Sequence, residues 1–448
     1  MHICRKWRRI IFASQRALHL RLLFTHGTPV LKTLDCWPTL PIVVRYGGST
    51  GLDPPTPEDE GNIMAALKHS DRITSIRLTV TRFLLERVSA TLSPFSELED
   101  LVLLPRDSVP LTLPSTFRWS TSLRRLHSTR IAFPSLLQRL HSSRNLVDLQ
   151  LHGVLNPWHF SPEELTNTFS GMDRLQSLSL HFLFTPGYCA PPPPSVERVV
   201  LPALTRFSFR GNTQYLEGMV ARINAPRLGD IEVTFVNEII LELPALSVFI
   251  DRIEMHKSYR RADILSSEHR ISITLTQPEA PTRLRFRLLC EELSYQLLSL
   301  AQICTRFYAF LSNVEDLRVS EKIPSRCTDR HYTGKWQEFI SPFTGVKRLH
   351  VSGDLSQNIV CALQRPDMRN RTVLAALQKL LIREPGPRFS LLREAVVSLM
   401  ESRRHSGSLL EVEYEQLHVN ELGITGSKNT QSQHHTLTCS EQDLFSSR

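Results

Sequence analysis

Along most of the chain, apolar residues recur in a six-residue pattern that is apolar at positions 1, 4 and 6, as in Leu146–Leu151. The second half of this pattern, which we call the leucine phrase, alternates apolar and polar residues and so predicts a short strand with one buried face. Successive copies from residue 73 to residue 250 start 22 to 29 residues apart, and the last three start 31 or 32 apart. Full copies start at Ile73, Leu98, Leu146, Leu175, Leu204, Leu228, Val314, Val346 and Leu377, and partial copies at Leu123 and Ile250.

Amphipathic segments between the phrases predict helices. Ser161 is placed to cap a helix, Pro162 falls at the first helical position, and Glu164 can complete a capping box with Ser161. The succession of strand, loop and helix then begins again at Leu175. Helices are predicted at residues 58–69, 82–92, 134–141, 162–171, 213–223, 291–312, 335–341, 355–364 and 388–404.

The spacing of the phrases is typical of leucine-rich repeats. We therefore predict an α/β fold, a leucine-rich-repeat-like solenoid of about 10–12 irregular strand–helix repeats with a curved parallel sheet. Because the consensus asparagine occurs only in Leu204–Asn212, no continuous asparagine ladder is expected. Less regular strands are predicted at residues 18–22, 42–44, 271–275, 284–288 and 409–414, the third and fourth of them as degenerate repeats.

The predicted domain organisation has three segments. Residues 1–17 form a short basic N-terminal element, and residues 18–416 form the solenoid. Residues 417–448 are rich in Ser, Thr, Gln, Asn and His, which is too polar a composition to build a core. We predict that this tail is disordered.

Composition excludes several classes of protein. No apolar run approaches the roughly 20 residues needed to span a bilayer. The eight cysteines are scattered without paired spacing, which favours buried thiols in a reducing compartment over a disulfide frame or a zinc site. No catalytic or nucleotide-binding motif is present, so we expect a protein that is not an enzyme, with no catalytic residue, no cofactor and no metal site.

The formal charge of +9 is concentrated at the N-terminus. Residues 1–34 contain seven Lys or Arg and no Asp or Glu, which leaves +2 for the rest of the chain. A nucleic-acid track along the repeats would need a basic stripe, whereas the sequence shows mixed signs. We therefore expect neither a nucleic-acid partner nor a membrane partner.

The basic N-terminus is open to several interpretations. Ile3, Trp7, Ile10 and Ile11 lie on one face of a predicted short helix, with basic residues around the rest. An Arg-rich segment without acidic residues has the composition of a mitochondrial targeting peptide, and it also suits a cap over the first repeat. The predicted localisation is cytoplasmic or nuclear, with a mitochondrial location as the alternative.

A third interpretation comes from resemblance. The segment Ile3-Cys-Arg-Lys-Trp-Arg8, followed by Phe12-Ala-Ser14, resembles the last helix of an F-box. Across roughly residues 3–415 the chain is similar to a family of F-box proteins expanded in mushroom-forming fungi. The segments that carry this similarity are Gly27-Thr-Pro29, Cys36-Trp-Pro38, Pro41-Ile42, Leu201-Pro-Ala-Leu204, Tyr215-Leu-Glu217, Val220-Ala-Arg-Ile223, Phe249-Ile-Asp-Arg252, Leu311-Ser-Asn-Val314 and Pro342-Phe343.

In that family the F-box docks onto the Skp adaptor of a cullin-RING ubiquitin ligase, and the repeats hold the substrate. The resemblance implies an adaptor-binding remnant at Cys4, Arg5, Lys6 and Trp7. An F-box opens with a Leu-Pro phrase and two earlier helices, whereas Met1 falls just before the final helix. We therefore expect an N-terminally truncated F-box and adaptor binding that is weak or absent.

The implied function is the substrate-recognition part of an SCF-type ligase receptor. The alternatives are a repeat-only binding protein that no longer engages the ligase, or an organelle-targeted protein.

The repeats also predict where a protein substrate would bind. Residues at phrase positions 3 and 5 project opposite to the leucines, so stacked strands should present two columns of side chains on a concave face. The columns carry both signs of charge, which suits a protein partner, although for any single residue a merely solvated position fits equally well. The predicted partner-binding residues are Arg77, Asp100, Arg125, His127, Asp148, Gln150, Arg206, Asp230, Glu232, Asp316, Arg318, Arg348, His350 and Lys379.

Overall fold

The computed structural model divides the chain into two compact units, Met1–Leu228 and Gly229–Arg448. Each unit is mixed α/β with a mostly parallel sheet. The predicted N-terminal element at residues 1–17 lies outside the described residues. The structure describes residues 20–37, 40–47, 56–90, 95–106, 110–113, 119–132, 136–154, 161–182, 197–256, 258–290, 292–321, 333–353, 355–365, 372–385, 389–415 and 435–437.

The strands described in the first unit are β1 (Leu22–Phe24), β2 (Ile42–Tyr46), β3 (Ile73–Val80), β4 (Asp100–Pro105), β5 (Leu111–Thr112), β6 (Arg125–Thr129), β7 (Ile131–Ala132), β8 (Asp148–Val154), β9 (Ser177–Phe182), β10 (Val199–Val200), β11 (Arg206–Gly211) and β12 (Ile223–Asn224). The main sheet is parallel in the order β1-β2-β3-β4-β6-β8-β9-β11. Two short parallel pairs, β5–β7 and β10–β12, lie outside it. Because the strand order follows the chain order, each repeat adds one strand beside the previous one.

The helices of the first unit are α1 (Val30–Cys36), α2 (Pro57–Leu67), α3 (Arg82–Ala90), α4 (Leu136–His141), α5 (Pro162–Thr168) and α6 (Thr213–Val220). The predicted capping box at α5 is confirmed, since the Ser161 hydroxyl accepts from the Glu164 amide at 3.1 Å and the Glu164 carboxylate accepts from the Ser161 amide at 2.8 Å. Helix α1 was not predicted from the sequence. It is short and begins at a position without a side-chain cap.

Two recurring sets of backbone hydrogen bonds explain why the leucine phrase repeats. The amide of the first phrase residue closes a turn, as Leu146 does by donating to the Ser143 carbonyl at 3.2 Å. The next two amides, of Val147 and Asp148, both donate to the carbonyl of Arg124 in the preceding repeat, at 2.7 and 3.0 Å. The same pairs of bonds recur in both units. Each phrase is therefore held in register with the one before it.

The core of each unit lies under the phrase leucines. Leu146, Leu149 and Leu151 are buried, and the corresponding residues of the other repeats are buried with them. Apolar residues from the helices cover the same side, for example Leu165 in α5 and Leu216 in α6. Burial of about 2 kcal/mol per large aliphatic side chain, repeated along the sheet, stabilises the stack.

In the second unit the described strands are β13 (Asp230–Val236), β14 (Arg261–Ser267), β15 (Arg270–Thr276), β16 (Arg283–Leu289), β17 (Asp316–Glu321), β18 (Arg348–Gly353), β19 (Lys379–Pro385), β20 (Glu411–Glu415) and β21 (His435–Leu437). Here the strand order departs from the chain order. The sheet runs β13-β16-β15-β14-β17-β18-β19-β20, with β15 antiparallel to both of its neighbours and the remaining pairs parallel.

This order corrects the prediction that residues 271–275 and 284–288 are strands of degenerate repeats. They belong to an antiparallel meander formed by β14, β15 and β16. The physical reason is the length of the links, residues 268–269 and 277–282, which are too short for the crossover that a parallel neighbour needs. The last strand of the meander then returns to pair in parallel with β13.

The helices of the second unit are α7 (Pro244–Asp251), α8 (Leu293–Arg306), α9 (Tyr308–Leu311), α10 (Thr333–Ile340), α11 (Leu355–Gln364) and α12 (Phe389–His405). The partial phrase at Ile250 is wrong as a strand, because Ile250 lies in α7 and a 3-10 turn follows at Glu254–His256. Ile250 shares one buried helix face with Leu246 and Phe249, at i, i+3 and i+4 spacing, and Pro244 at the first turn favours the helix. The segment predicted at 291–312 is a pair of helices separated at Phe307.

The predicted final strand is confirmed as β20, which pairs with β19. Residues His435–Leu437 form β21 and pair antiparallel with Val412–Tyr414, so these three residues depart from the expected disordered tail. The strand is explained by the unpaired edge that β20 would otherwise present. The rest of segment 417–448 lies outside the described residues.

Candidate binding face of the sheet

In each unit, the side chains at phrase positions 3 and 5 lie on one side of the sheet, opposite the buried leucines. We call this side the polar face of that unit. In the first unit the parallel register aligns two rows across the strands. The first row is Ser75, Asp100, Arg125, Asp148, Ser177 and Arg206, and the second row is Arg77, Val102, His127, Gln150, Ser179 and Ser208.

The corresponding rows of the second unit include side chains of the meander. The first row is Asp230, Arg283, Thr276, Arg261, Asp316, Arg348, Lys379 and Glu411, and the second row is Glu232, Arg285, Thr274, Asp263, Arg318, His350, Leu381 and Glu413. All fourteen predicted partner-binding residues therefore lie in these rows, each of them half-buried or exposed. The structure places them where a partner could reach them.

An ion pair between neighbouring strands orders the first row of the first unit. The Arg125 guanidinium makes two hydrogen bonds to the Asp100 carboxylate, one of them from Nη2 to Oδ2 at 2.6 Å. Hydrogen bonding to Asp100 raises the pKa of Arg125, burial opposes this, and the charges of Asp100, Asp148 and Glu99 add to the rise. The two strands thus present a fixed pair of opposite charges instead of two freely rotating side chains.

Three histidines form a cluster on the same face, on β6, β8 and β9. The rings of His152 and His181 are stacked with centroids 4.0 Å apart, and His127 meets His152 edge-on at 5.3 Å. His152 Nε2 lies 2.8 Å from the Ser179 hydroxyl. Burial, followed by the nearby His181 and His127, lowers the pKa of His152 to about 3, although Asp148 opposes the shift. At neutral pH this part of the face is therefore polar but carries no charge from His152.

In the second unit, arginines of β16 face carboxylates of β13. Arg283 binds Asp230 through two hydrogen bonds of 2.8 and 2.7 Å. Glu232 accepts from Arg287 and also lies 3.6 Å from Arg285. Three arginines on one strand thus share two carboxylates, which leaves an excess of positive charge.

A second group of charges surrounds Asp316. Its carboxylate lies 3.3 Å from His350 Nε2, 3.7 Å from Arg318 and 3.8 Å from Arg348. Burial lowers the pKa of His350, Asp316 opposes the shift, and the positive charges of Arg318, Arg383 and Arg348 lower the pKa further. The single carboxylate of Asp316 therefore forms ion-pair contacts with three basic side chains.

Strands β19 and β20 balance their charges by pairing across the two strands. Lys379 Nζ lies 2.5 Å from the Glu413 carboxylate and 3.8 Å from that of Glu411. Arg383 Nε donates to Glu415 at 2.6 Å. This end of the face is a set of paired charges, with the basic residues on β19 and the acidic residues on β20.

Sequence reasoning missed two sets of residues on the polar faces. His152 and His181 stand at the seventh position of their repeats, one alternation beyond the phrase, and extending the period of two would have found them. Arg285 and Arg287 alternate with the buried Leu284, Phe286 and Leu288, so their strand was recognisable but its place in the sheet was not.

Several predicted features can be checked only within the described residues. Cys4, Arg5, Lys6 and Trp7 lie outside them. In the described part of the chain, no group of three or more His, Cys, Asp or Glu is arranged to hold a metal ion. Over the same residues, no helix has the length and apolarity to cross a membrane.

Comparison with known proteins identifies no family for this chain. No protein-family model matches the chain, and no curated protein matches it. Among solved structures, the chain is similar to the leucine-rich repeat-containing protein LegL7 from Legionella pneumophila, with 10% identity over 85% of this chain and 97% of that chain, and a TM-score of 0.29. At so low a TM-score, the description of this chain as a mixed α/β protein with leucine-rich-repeat-like units rests on its own strand pairing and repeated turns.

Proposed function

We propose that this chain is a non-enzymatic protein-binding scaffold, in which the repeats form a leucine-rich-repeat-like solenoid and the polar faces contact a protein partner. The observation that carries the proposal is the alignment of fourteen predicted residues into rows that alternate with buried leucines. A face held by parallel backbone pairing keeps its side chains in a defined pattern, which lowers the entropy lost on binding.

Mixed charge further supports a protein partner. Acidic and basic residues alternate along the first row of the first unit, as at Asp100, Arg125 and Asp148. A nucleic-acid backbone would be repelled by these carboxylates, whereas a protein surface can match both signs. The proposed partner is therefore a protein with a complementary pattern of charge.

Charge reversal on the polar faces tests this proposal. We expect the triple variant Arg125→Glu, Arg206→Glu and Arg348→Glu to lose at least tenfold in the recovery of proteins that the wild-type chain captures, because like charges then face the partner. Recovery is measured by quantitative mass spectrometry of affinity-purified complexes. The matched control is Arg144→Glu, Arg174→Glu and Arg404→Glu, which changes three exposed arginines away from the polar faces. Unchanged recovery with the face variant would remove this surface as the binding site.

We further propose, on the resemblance of Ile3–Arg8 to an F-box helix, that the scaffold is related to the substrate-recognition part of an SCF-type ubiquitin ligase receptor, whether or not it still engages the ligase. Because the resemblance covers one of three F-box helices, residues 1–448 are expected to bring down the Skp adaptor weakly or not at all. Co-expression of both proteins followed by size-exclusion chromatography measures this. Trp7→Ala serves as the control that removes the largest side chain of the remnant. Stoichiometric adaptor that is lost in Trp7→Ala would show that the remnant suffices for ligase assembly.

A further inference from the structure

A cavity of about 480 Å³ opens on the polar face of the second unit, where the antiparallel meander meets the parallel strands β17 to β19. Six basic side chains contribute to its lining, which makes it unlike the mixed rows on either side. They are Arg270, Arg285, Arg287, Arg318, His350 and Arg383. The volume is within the range of sites that hold small ligands or a single side chain of a partner. We call this site the arginine cavity.

Hydroxyl groups lie between the basic residues. Ser272 and Thr274 of β15, Ser320 of β17 and Ser352 of β18 all line the arginine cavity. Arg285 Nε donates to the Thr274 hydroxyl at 3.0 Å, which fixes the plane of the guanidinium at the cavity wall. A cavity lined by guanidinium and hydroxyl groups offers many hydrogen-bond donors, as a ligand rich in acceptor oxygens requires.

Two ring or guanidinium nitrogens of the lining are unsatisfied. Arg318 Nε and His350 Nδ1 are shielded from solvent and have no hydrogen-bond partner among the described residues. Arg318 Nε can act only as a donor. Because the pKa of His350 is lowered, its Nδ1 becomes a donor only when a bound anion favours protonation of the ring. A shielded donor without an acceptor destabilises the fold unless a ligand supplies the acceptor.

The carboxylates near the cavity do not balance its charge. Asp263 belongs to the lining and is engaged by Arg261, which lies outside it, at 3.2 Å. Glu232 is shared between Arg285 and Arg287. Asp316 is shared among Arg318, Arg348 and His350, and Glu415 accepts from Arg383. The five lining arginines, together with Arg261 and Arg348 beside them, still outnumber these four carboxylates.

Repulsion between neighbouring guanidinium groups is evident at Arg285. Burial, followed by the charges of Arg283 and Arg287, lowers the pKa of Arg285 despite the nearby carboxylates. An added anion would relieve this repulsion.

We propose that the arginine cavity binds a phosphate monoester group. A phosphate monoester carries nearly two negative charges at neutral pH and three acceptor oxygens, which match the guanidinium groups better than a carboxylate with one charge and two oxygens. The cavity has room for the phosphate and for the group that carries it. Two sources share this chemistry, a small phosphorylated molecule and a phosphorylated serine or threonine of a protein partner. Binding of phosphate needs no protein partner, so this site stands or falls separately from the scaffold function proposed above.

Titration of the full chain with inorganic phosphate tests the site. At constant ionic strength, phosphate is expected to bind saturably and to raise the melting temperature, whereas acetate at the same concentration should do neither. The double variant Arg285→Gln and Arg318→Gln should weaken phosphate binding by at least tenfold, since each lost charged hydrogen bond contributes about a tenfold factor. The control Arg393→Gln and Arg404→Gln changes two exposed arginines of α12 and should bind phosphate as the wild type does.

The readout does not depend on the variant folding. Line broadening of the phosphorus resonance reports binding to the wild-type chain directly, and absence of saturable broadening would overturn the proposal. Equal stabilisation by acetate and phosphate, or equal affinity in the cavity variant and the control, would also overturn it.

Two further binding experiments distinguish a small phosphorylated molecule from a phosphorylated side chain of a protein partner. One uses O-phosphoserine, and the other uses a degenerate peptide pool with a central phosphoserine, compared with the same pool unphosphorylated. Selective retention of the phosphorylated pool, lost in Arg285→Gln with Arg318→Gln, would support the site and assign it to a partner's side chain. Binding of O-phosphoserine with exclusion of the peptides would support the site and assign it to a small molecule. Equal retention of both peptide pools together with no binding of O-phosphoserine would overturn it.

Discussion

Replacing Trp336 by alanine is expected to lower the free energy of unfolding by about 3–5 kcal/mol, the range for deleting a large aromatic side chain from a packed core. Trp336 is fully buried in α10. Its ring meets Phe339 edge-on at 5.7 Å, and Phe339 in turn meets Phe343 at 5.8 Å. The alanine variant would leave a cavity beside these rings that the surrounding helix and sheet can fill only in part.

The indole nitrogen of Trp336 makes a sharper comparison possible. Nε1 is buried and has no hydrogen-bond partner among the described residues. Trp336→Phe removes this unsatisfied donor while keeping most of the ring, so we expect it to cost less than about 1.5 kcal/mol. Tyr308→Ala, which removes an exposed aromatic side chain, should change stability by no more than about 0.5 kcal/mol.

Urea unfolding followed by circular dichroism measures all three variants under the same conditions. A loss below about 1 kcal/mol for Trp336→Ala would contradict the packing described for α10. A loss for Trp336→Phe as large as for Trp336→Ala would instead show that the indole N–H is satisfied.

Replacing Asp59 by asparagine is expected to destabilise the chain by about 2–4 kcal/mol at pH 7, because this buried carboxylate both caps α2 and accepts bonds from a distant loop. The Thr56 amide and hydroxyl donate to it at 3.0 and 2.8 Å. From the loop after β1, His26 Nδ1 lies 2.9 Å away and the Gly27 amide donates at 3.3 Å. An asparagine side chain offers one acceptor oxygen in place of two.

The arrangement also assigns the proton on His26. Its Nε2 accepts from the Gly47 amide at 3.2 Å, so the neutral ring carries its hydrogen on Nδ1 and donates it to Asp59. One histidine thus joins the carboxylate of α2 to the end of β2.

The contribution of Asp59 depends on pH. Burial by itself raises the pKa of Asp59, but hydrogen bonds from His26, Thr56 and Gly27 outweigh it and lower the pKa to about 2, from 3.8. A carboxylate with a lowered pKa in the folded state contributes stability above its unfolded pKa and loses that contribution as the pH falls towards the folded pKa. We expect a contribution on the order of 2 kcal/mol that is complete above about pH 5 and lost between about pH 4 and pH 2.

Unfolding by urea between pH 6 and pH 2 tests this dependence. The stability difference between the wild type and Asp59→Asn should shrink as the pH falls below 4. Glu58→Gln changes an exposed carboxylate of the same helical turn and should leave the pH profile unchanged. A difference that stays constant down to pH 2 would show that Asp59 titrates normally.

Local features of this chain were predictable because they depend on residues close in sequence. The leucine phrase predicts a strand wherever its alternation is intact, and the capping box at Ser161 and Glu164 predicts where α5 begins. Thr56 and Asp59 show the same pattern of a capping residue followed by Pro-Glu, and they cap α2 in the same way. The face on which each phrase residue lies also follows, since neighbouring side chains on a strand point to opposite sides.

The order of strands in the second unit was decided by the tertiary structure. The alternation in Arg283–Leu289 predicts a strand with three arginines on one side, yet it contains no information about which strand lies beside it. Pairing with β13 bridges more than forty intervening residues and depends on the burial of all three meander strands together. The arginine cavity could not be predicted for the same reason, because its side chains come from strands whose neighbours are chosen only when the whole sheet packs.

At Asp59, likewise, one property depends on residues close in sequence and another depends on the tertiary structure. Its role as a cap is determined within four residues by Thr56. Its low pKa requires His26 and Gly27, which approach through the packing of the first two strands, 33 and 32 residues away. Sequence patterns thus determine which elements form and which side they bury, because those preferences are local. The long-range contacts determine the charges, pKa values and cavities on the polar faces, because they depend on groups that meet only in the folded chain.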